Sequence, residues 1–269
     1  MGRDVTSVVQ FMRAVLAPEL WAREVLVPPV SFREEIFTGR RPLRIGYYTY
    51  NGCMHPVPAV ERGVLMAKSA LEGLGHTVVP FDVKPFALEA FSEHFIPMLM
   101  ADNGTCYDEL MRYDNSCELM GSFYNICKMP YWLRWIFAKL AKFEEFQLAF
   151  AEDWKKLRLD ALICPGMPTA ALMAGTDKKM LSCSSYTAIW NVLNYPAGIV
   201  PVTQVTSADV AKTMDPTCYP AETKTEQMMR DDARGSEGLP ITVQVAGLPY
   251  TEEMVLRVMA ELEGAIKSK

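Results

Sequence analysis

Hydrophobic residues recur every three to four positions in three stretches of the chain. They are Val5, Val8, Val9, Met12 and Leu16 near the start, Val60, Val64, Ala67, Leu71 and Leu74 further on, and a third set between Glu252 and Ile266. This period predicts amphipathic α-helices. Asp4 precedes the first set as a candidate N-cap, and Pro58 precedes the second at a position that proline tolerates.

Short apolar runs bounded by glycine and proline predict β-strands between these helices. The runs cover residues 43–48, 76–81, 159–165, 198–203 and 241–245. The first two flank the Pro58 helix, an arrangement typical of two parallel strands joined by a crossover helix. A helix-rich middle from Phe86 to Leu157 and a short helix from Ser185 to Leu193 continue the alternation. We therefore predict one α/β domain over residues 1–269, with a twisted mixed sheet covered by helices.

One long segment departs from this alternation. Residues 207–237 are polar and charged, with no clear hydrophobic period. We predict that they form a surface loop.

Composition narrows the classes of function. The net charge is -5, so no overall basic field attracts phosphate, and a nucleic-acid partner is not expected. The seven cysteines contain no C-x-x-C pair and indicate reduced thiols in a cytosolic compartment. None of the three histidines lies at metal-ligand spacing from another histidine or a cysteine, so no metal site is expected. A signal-peptide pattern and an 18-residue apolar run are both missing from the sequence, so we expect neither secretion nor a membrane-spanning helix.

Two groups of residues were candidates for a local nucleophile. Ser182, Ser184 and Ser185 surround Cys183, but no glycine beside them opens the backbone for an oxyanion site. We interpret Ser184 or Ser185 as a helix N-cap. Cys53 with His55 and Cys106 with His94 are possible pairs, but residues two apart rarely face each other and no orienting carboxylate is evident, so we interpret these cysteines as buried or idle thiols. The sequence therefore assigns no catalytic residue within the chain.

A basic, aromatic segment spans residues 130–143. On a helical wheel its apolar side chains share one arc, namely Trp132, Leu133, Ile136, Phe137, Leu140 and Phe143. The opposite arc carries Arg134, Lys139 and Lys142 together with Trp135. This pattern is typical of a helix that lies in a membrane interface. A core-packing helix with a basic outer face is the alternative interpretation.

Several motifs in fixed order resemble the fatty acid amide hydrolase branch of the amidase signature family. They are Phe32 to Glu35, Pro42 to Tyr48, Ala67 to Thr77, Ser185-Tyr186-Thr187 with Asn191, Tyr195 to Thr203, and Gly238 to Pro249. The likeness covers nearly the whole chain. It implies the C-terminal part of the amidase-signature fold, and hydrolysis of long-chain fatty acid amides to fatty acid and amine without a metal or organic cofactor.

The resemblance also implies where catalysis takes place. In this family a lysine acts through one serine to deprotonate a second, nucleophilic serine in a Ser-Ser-Gly-Gly stretch. Met1 to Val5 resembles a segment downstream of that stretch, and this sequence contains no such stretch. We therefore expect the chain to be a fragment that lacks these residues and is inactive alone.

Substrate and membrane contacts follow from the same resemblance. Met100, Phe123, Ile126, Ser184 and Ala188 occupy motif positions of the acyl channel, for which core packing is the alternative. The segment 130–143 corresponds to the family's membrane-facing cap, although about two dozen residues of that cap are missing.

These matches imply a fatty acid amide substrate and a peripheral or monotopic location on the cytoplasmic face of an internal membrane. A homodimer stays open as a further partner. Two other functions also stay open: a non-catalytic lipid- or membrane-binding remnant, and an amidase for small polar amides.

Overall fold

The computed structural model describes residues 2–23, 29–99, 105, 109, 112, 130, 132, 142–176 and 180–268. Its strands are β1 (Arg44–Tyr47), β2 (Thr77–Pro80), β3 (Ala161–Pro165), β4 (Ala197–Gln204) and β5 (Pro240–Ala246). Its helices are α1 (Val5–Val15), α2 (Pro18–Trp21), α3 (Glu34–Phe37), α4 (Pro58–Gly73), α5 (Lys84–Glu89), α6 (Ile96–Leu99), α7 (Phe143–Leu157), α8 (Ser185–Leu193), α9 (Ser207–Met214), α10 (Lys224–Asp232) and α11 (Glu252–Lys267). A π-helix spans Ala90–Phe95, and a 3-10 helix spans Leu181–Ser184.

The five strands form one mixed sheet in the order β2-β1-β3-β5-β4. Strand β1 is parallel to both of its neighbours, whereas β5 is antiparallel to β3 and to β4. Helix α4 connects β1 to β2, which confirms the predicted parallel pair with its crossover helix. The α/β class and the mixed sheet are likewise as predicted.

Each face of the sheet carries its own core. On one face α4 and α11 pack over the sheet, burying Val64 and Leu71 of α4 and Val258 and Leu262 of α11. On the other face α5, α7 and α8 pack around aromatic side chains such as Phe150. Burial of two layers of apolar side chains is the main stabilising term of this fold.

The local start signals of two helices agree with the sequence. The Asp4 side chain accepts a hydrogen bond from the Ser7 backbone N–H at 2.7 Å, so α1 begins with the predicted N-cap. Pro58 occupies the first turn of α4, as predicted. Gly198 of the Tyr195 to Thr203 motif has a packing role, because a Cβ atom there would overlap the Met259 side chain.

The prediction of a surface loop over residues 207–237 is wrong. This segment contains α9 and α10, each of which begins with a capping box. Thr206 and Asp209 exchange hydrogen bonds at the start of α9, and Thr223 and Glu226 do so at the start of α10. These boxes satisfy backbone N–H groups that are otherwise unpaired in the first turn of each helix. The polar composition of the segment hides the helical period of its few apolar residues.

Among the described helices, none is both long and apolar enough to cross a membrane.

Candidate functional site

The topology of the sheet marks one edge as a place for a site. Strand β1 lies between β2 and β3, and all three run parallel. The connections that leave the carboxyl ends of β1 and β3 therefore diverge and leave a crevice between them. Ligands of open α/β sheets commonly bind in such a crevice. The residues that follow Tyr47 and Pro165 are therefore the candidates for this site.

The turn after β1 is organised by the buried side chain of Asn51. Its Oδ1 accepts hydrogen bonds from the backbone N–H groups of Cys53 at 2.9 Å and Met54 at 3.4 Å. Its Nδ2 donates to the Ser185 hydroxyl at 3.1 Å. Gly52 has a φ of 89°, a left-handed conformation that glycine adopts at little cost. The turn is therefore held against the first residue of α8.

Tyr186, the next residue of α8, strengthens this junction. Its hydroxyl donates to the Met54 carbonyl at 2.7 Å, and its ring is fully buried. Burial raises the pKa of Tyr186, so the phenol stays protonated and keeps donating this bond. The start of α8 is thus bonded to the turn after β1 twice: the Ser185 hydroxyl accepts one hydrogen bond, and the Tyr186 hydroxyl donates the other.

The thiol of Cys53 also lies at this junction. Cys53 is half-buried. Burial raises the pKa of its thiol, and a hydrogen bond with the Ser185 side chain offsets only part of that increase. A thiol with a raised pKa is a weak nucleophile at neutral pH. His55 stacks on the Tyr50 ring, with centroids 4.1 Å apart. The geometry supports the interpretation that Cys53 and His55 do not act as a catalytic pair.

A cavity of about 280 Å³ opens beside the same turn. Tyr50, His55, Tyr219 and Glu226 lie on its wall. The Glu226 carboxylate accepts from the His55 backbone N–H at 2.8 Å, and the Tyr219 hydroxyl donates to the His55 carbonyl at 3.0 Å. Burial raises the pKa of Glu226, but the hydrogen bonds from His55 and Thr223 outweigh it and leave that pKa lowered. One side of the cavity therefore carries the ionised carboxylate of Glu226 and the stacked rings of Tyr50 and His55.

Beneath the crevice, three side chains meet on the inner face of the sheet. Cys164 is fully buried at the end of β3, with the Tyr48 hydroxyl and the Trp190 indole directed at its sulfur. Neither of these two buried polar groups has a hydrogen-bond partner. Burial raises the pKa of Cys164 to about 12. Cys164 is therefore a neutral thiol in the core of the domain.

Two of the predicted channel residues are described, and they have different surroundings. Ser184 ends the 3-10 helix, and its hydroxyl donates to the Leu181 carbonyl without capping α8. Ser184 thus occupies the N-cap position of α8, as predicted, but its hydroxyl makes no capping hydrogen bond. Ala188 is fully buried in α8 but belongs to neither described core cluster. Met100, Phe123 and Ile126 lie outside the described residues.

The predicted membrane-facing segment is described at only a few positions. The Trp132 side chain is 63% exposed. Lys142 forms an exposed ion pair with Glu145 at 3.0 Å. The other predicted residues, Leu133, Arg134, Trp135, Ile136, Phe137, Lys139 and Leu140, lie outside the described residues.

Within the part of the chain that the structure describes, no group of three or more His, Cys, Asp and Glu side chains is placed to hold a metal ion. The Asn51-Gly52 pair predicts a tight turn from sequence alone, and the structure confirms that turn. The hydrogen bond from Asn51 to Ser185 has no signal in the sequence, because the two residues are far apart in the chain.

Comparison with known proteins identifies the family. The model of the family described as Amidase matches residues 1–256. The chain is 32% identical to "Fatty-acid amide hydrolase 1" of Sus scrofa over 98% of its length and 50% of that protein. It is 30% identical to "Fatty acid amide hydrolase 1" of Caenorhabditis elegans over 100% of its length and 51% of that protein.

A third relative is an "Acetamidase" of Aspergillus oryzae, 26% identical over 99% of this chain and 50% of that protein. Among solved structures, a "Fatty acid amide hydrolase" superposes with a TM-score of 0.69 at 17% identity, over 99% of this chain and 47% of that one. This chain spans about half the length of the curated relatives it matches. With a family model that matches nearly its whole length, the chain belongs to the amidase family.

Proposed function

We propose that this chain forms the substrate-binding half of an amidase that hydrolyses long-chain fatty acid amides to fatty acid and amine. The observation that carries the proposal is the similarity over nearly the whole chain to two animal fatty acid amide hydrolases. The motif position of Ala188 supports it as well, because that side chain is apolar and fully buried in α8. Apolar surroundings with few polar groups suit an acyl tail.

In the proposed mechanism the nucleophile is a serine outside residues 1–269. A lysine acting through a second serine removes its proton, and the serine attacks the amide carbonyl. The amine leaves, and water then releases the fatty acid from the acyl-enzyme. The present chain positions the substrate, and the Asn51–Ser185 hydrogen bond keeps α8 in place against the turn after β1. Chemistry of this kind depends strongly on such positioning.

A half-exchange experiment tests this assignment. The amino-terminal half of the Sus scrofa relative is joined to the present chain, and hydrolysis of oleamide and acetamide is compared. We expect oleamide to be preferred. The Ala188→Phe variant is expected to lower oleamide hydrolysis more than acetamide hydrolysis, because the larger ring takes up space that the long acyl tail needs. Ser182→Ala, a half-buried change on the preceding 3-10 helix, serves as the control. Equal use of both amides by the hybrid would contradict the proposal.

The chain tested alone gives an independent result. Without the lysine and the two serines, we expect no hydrolysis and no labelling by a fluorophosphonate, since loss of such a unit typically costs many powers of ten in rate. Turnover of oleamide together with labelling at a single serine would show that this half carries its own nucleophile. Binding of a fluorescent fatty acid without turnover would favour the lipid-binding remnant.

A second candidate function rests on the similarity to the Aspergillus oryzae acetamidase. In that case the chain would serve an amidase for small polar amides. The hybrid enzyme would then prefer acetamide, and Ala188→Phe would change the hydrolysis of oleamide and of acetamide by the same factor.

A further inference from the structure

Three sulfur atoms from separate parts of the chain meet in the core. The Cys183 Sγ lies 3.8 Å from the Met54 Sδ and 3.8 Å from the Met229 Sδ. Cys183 belongs to the 3-10 helix, Met54 to the turn after β1, and Met229 to α10. All three side chains are at most 3% exposed. We call these residues the sulfur triad.

We propose that the sulfur triad is a binding site for a soft monovalent metal ion, Cu(I), held by one thiolate and two thioethers. Neither the proposed hydrolysis nor the family assignment involves this site. The proposal is therefore independent of the proposed function, and its failure would leave that function untouched.

The distance from Cys183 to each methionine sulfur fits three-coordinate geometry. A metal–sulfur bond is about 2.3 Å long. Three such bonds directed to the corners of a triangle place neighbouring sulfurs about 4 Å apart. Both distances from Cys183 Sγ, at 3.8 Å, are close to that value. Methionine has the rotatable bonds to set the remaining side of the triangle when an ion binds.

The donor set selects a soft ion. Thiolate and thioether ligands favour Cu(I), whereas carboxylate and carbonyl ligands suit magnesium, calcium or manganese. In the described part of the chain, no cluster of histidine, cysteine and carboxylate ligands competes for such an ion. One thiolate and one monovalent cation sum to zero charge, so the bound unit suits an apolar core without a large desolvation penalty.

Binding exchanges a proton for the metal. The ion replaces the hydrogen on the Cys183 sulfur, and that proton passes to solvent. Metal binding is therefore expected to release one proton for each ion bound.

A short path leads to the site. The 3-10 helix that carries Cys183 is only four residues long, and its first residue, Leu181, is 42% exposed. Ser182 and Ser184 on either side of the cysteine are half-buried. Local opening of this single turn would expose the sulfur to solvent.

The test uses Ag(I) as a redox-inert probe of the same coordination chemistry. The full chain is labelled with 13C in its methionine methyl groups and titrated with one equivalent of silver nitrate in chloride-free buffer. We expect the methyl signals of Met54 and Met229 to shift together, assigned from the single leucine variants. Cys183→Ser should abolish both shifts.

Matched variants separate this site from the other thiols. The Met54→Leu, Met229→Leu double variant keeps all seven cysteines, and leucine preserves methionine volume in a core. We expect it to weaken the tightest Ag(I) site by about 100-fold or more. Met254→Leu, Met259→Leu on α11 should bind as the parent does. Unchanged binding in the first double variant, or silver bound while the Met54 and Met229 signals stay still, would overturn the proposal.

Discussion

The side-chain amide of Asn51 donates to the hydroxyl of Ser185 across 3.1 Å, although 134 positions separate them in sequence. Both residues are 1% exposed. This bond holds the turn after β1 against the start of α8. Two backbone N–H groups in that turn depend on the same asparagine.

Replacing Asn51 by alanine should therefore destabilise the fold. The variant leaves Ser185 and the Cys53 N–H without their partner in a buried place, which is expected to cost about 2 to 3 kcal/mol. Urea unfolding followed by circular dichroism measures this change. Asn191→Ala on the exposed side of α8 is the control and should stay within about 0.5 kcal/mol of the parent. Equal midpoints for the two variants would contradict the role given to Asn51.

The ion pair between Arg62 and Asp209 should make stability depend on pH. Burial raises the pKa of Asp209, but hydrogen bonds from Arg62 and Thr206 outweigh it and lower that pKa from 3.8 to about 2. The Arg62 guanidinium binds both carboxylate oxygens, at 3.0 and 2.7 Å. A lowered pKa in the folded state means that ionised Asp209 stabilises the fold above pH 3.8, and that this contribution is lost as the pH falls through about 2.

Asp209→Asn is accordingly expected to lower the free energy of unfolding by about 2 kcal/mol at pH 7. The gap between variant and parent should narrow as the pH falls from 4 to 2. Urea unfolding across this pH series measures the gap. Asp153→Asn, which removes an exposed pair with Lys156, should change stability by less than about 1 kcal/mol. A gap that stays constant down to pH 2 would show that the charge of Asp209 contributes nothing.

The described cysteines should react with maleimide in a fixed order. Cys218 is exposed and should react first, followed by half-buried Cys53, whose pKa burial raises. Cys164 and Cys183 should stay unmodified in the native state, because burial raises the pKa of each to about 12. Peptide mass spectrometry after timed labelling gives the order. Early labelling of Cys164 would mean that the core around the end of β3 opens readily.

The basic aromatic segment 130–143 should bind anionic membranes through two faces. Arg134, Lys139 and Lys142 are expected to contribute roughly 1 kcal/mol each near a negatively charged leaflet, an attraction that salt screens. Ile136 and Phe137 supply apolar area. The Ile136→Glu, Phe137→Glu variant should therefore fail to bind anionic vesicles at any salt concentration.

Co-sedimentation with vesicles across a salt series measures this binding. Neutralising the three basic residues should weaken it mainly at low salt, which makes that variant the control for the apolar face. If the double glutamate variant sediments as well as its parent and stays folded, the segment packs in a core instead.

The sequence alone determined the α/β class, the parallel β1–β2 pair and most strand positions. These features are local, because period-2 and period-3.6 patterns of apolar residues record which side chains face a core. The ordered motifs from Phe32 to Pro249 also identified the family. In the polar segment 207–237 the apolar period is weak, so it does not indicate helices α9 and α10. Their capping boxes are the local signal that does.

Only the tertiary structure decided which residues meet. Asn51 with Ser185, Arg62 with Asp209, and the sulfur triad each join positions far apart in the chain. No periodicity encodes such pairs, because the order of strands in the sheet brings them together. That order follows from the summed burial of both faces of the sheet, a property of the whole domain that no short window of sequence contains.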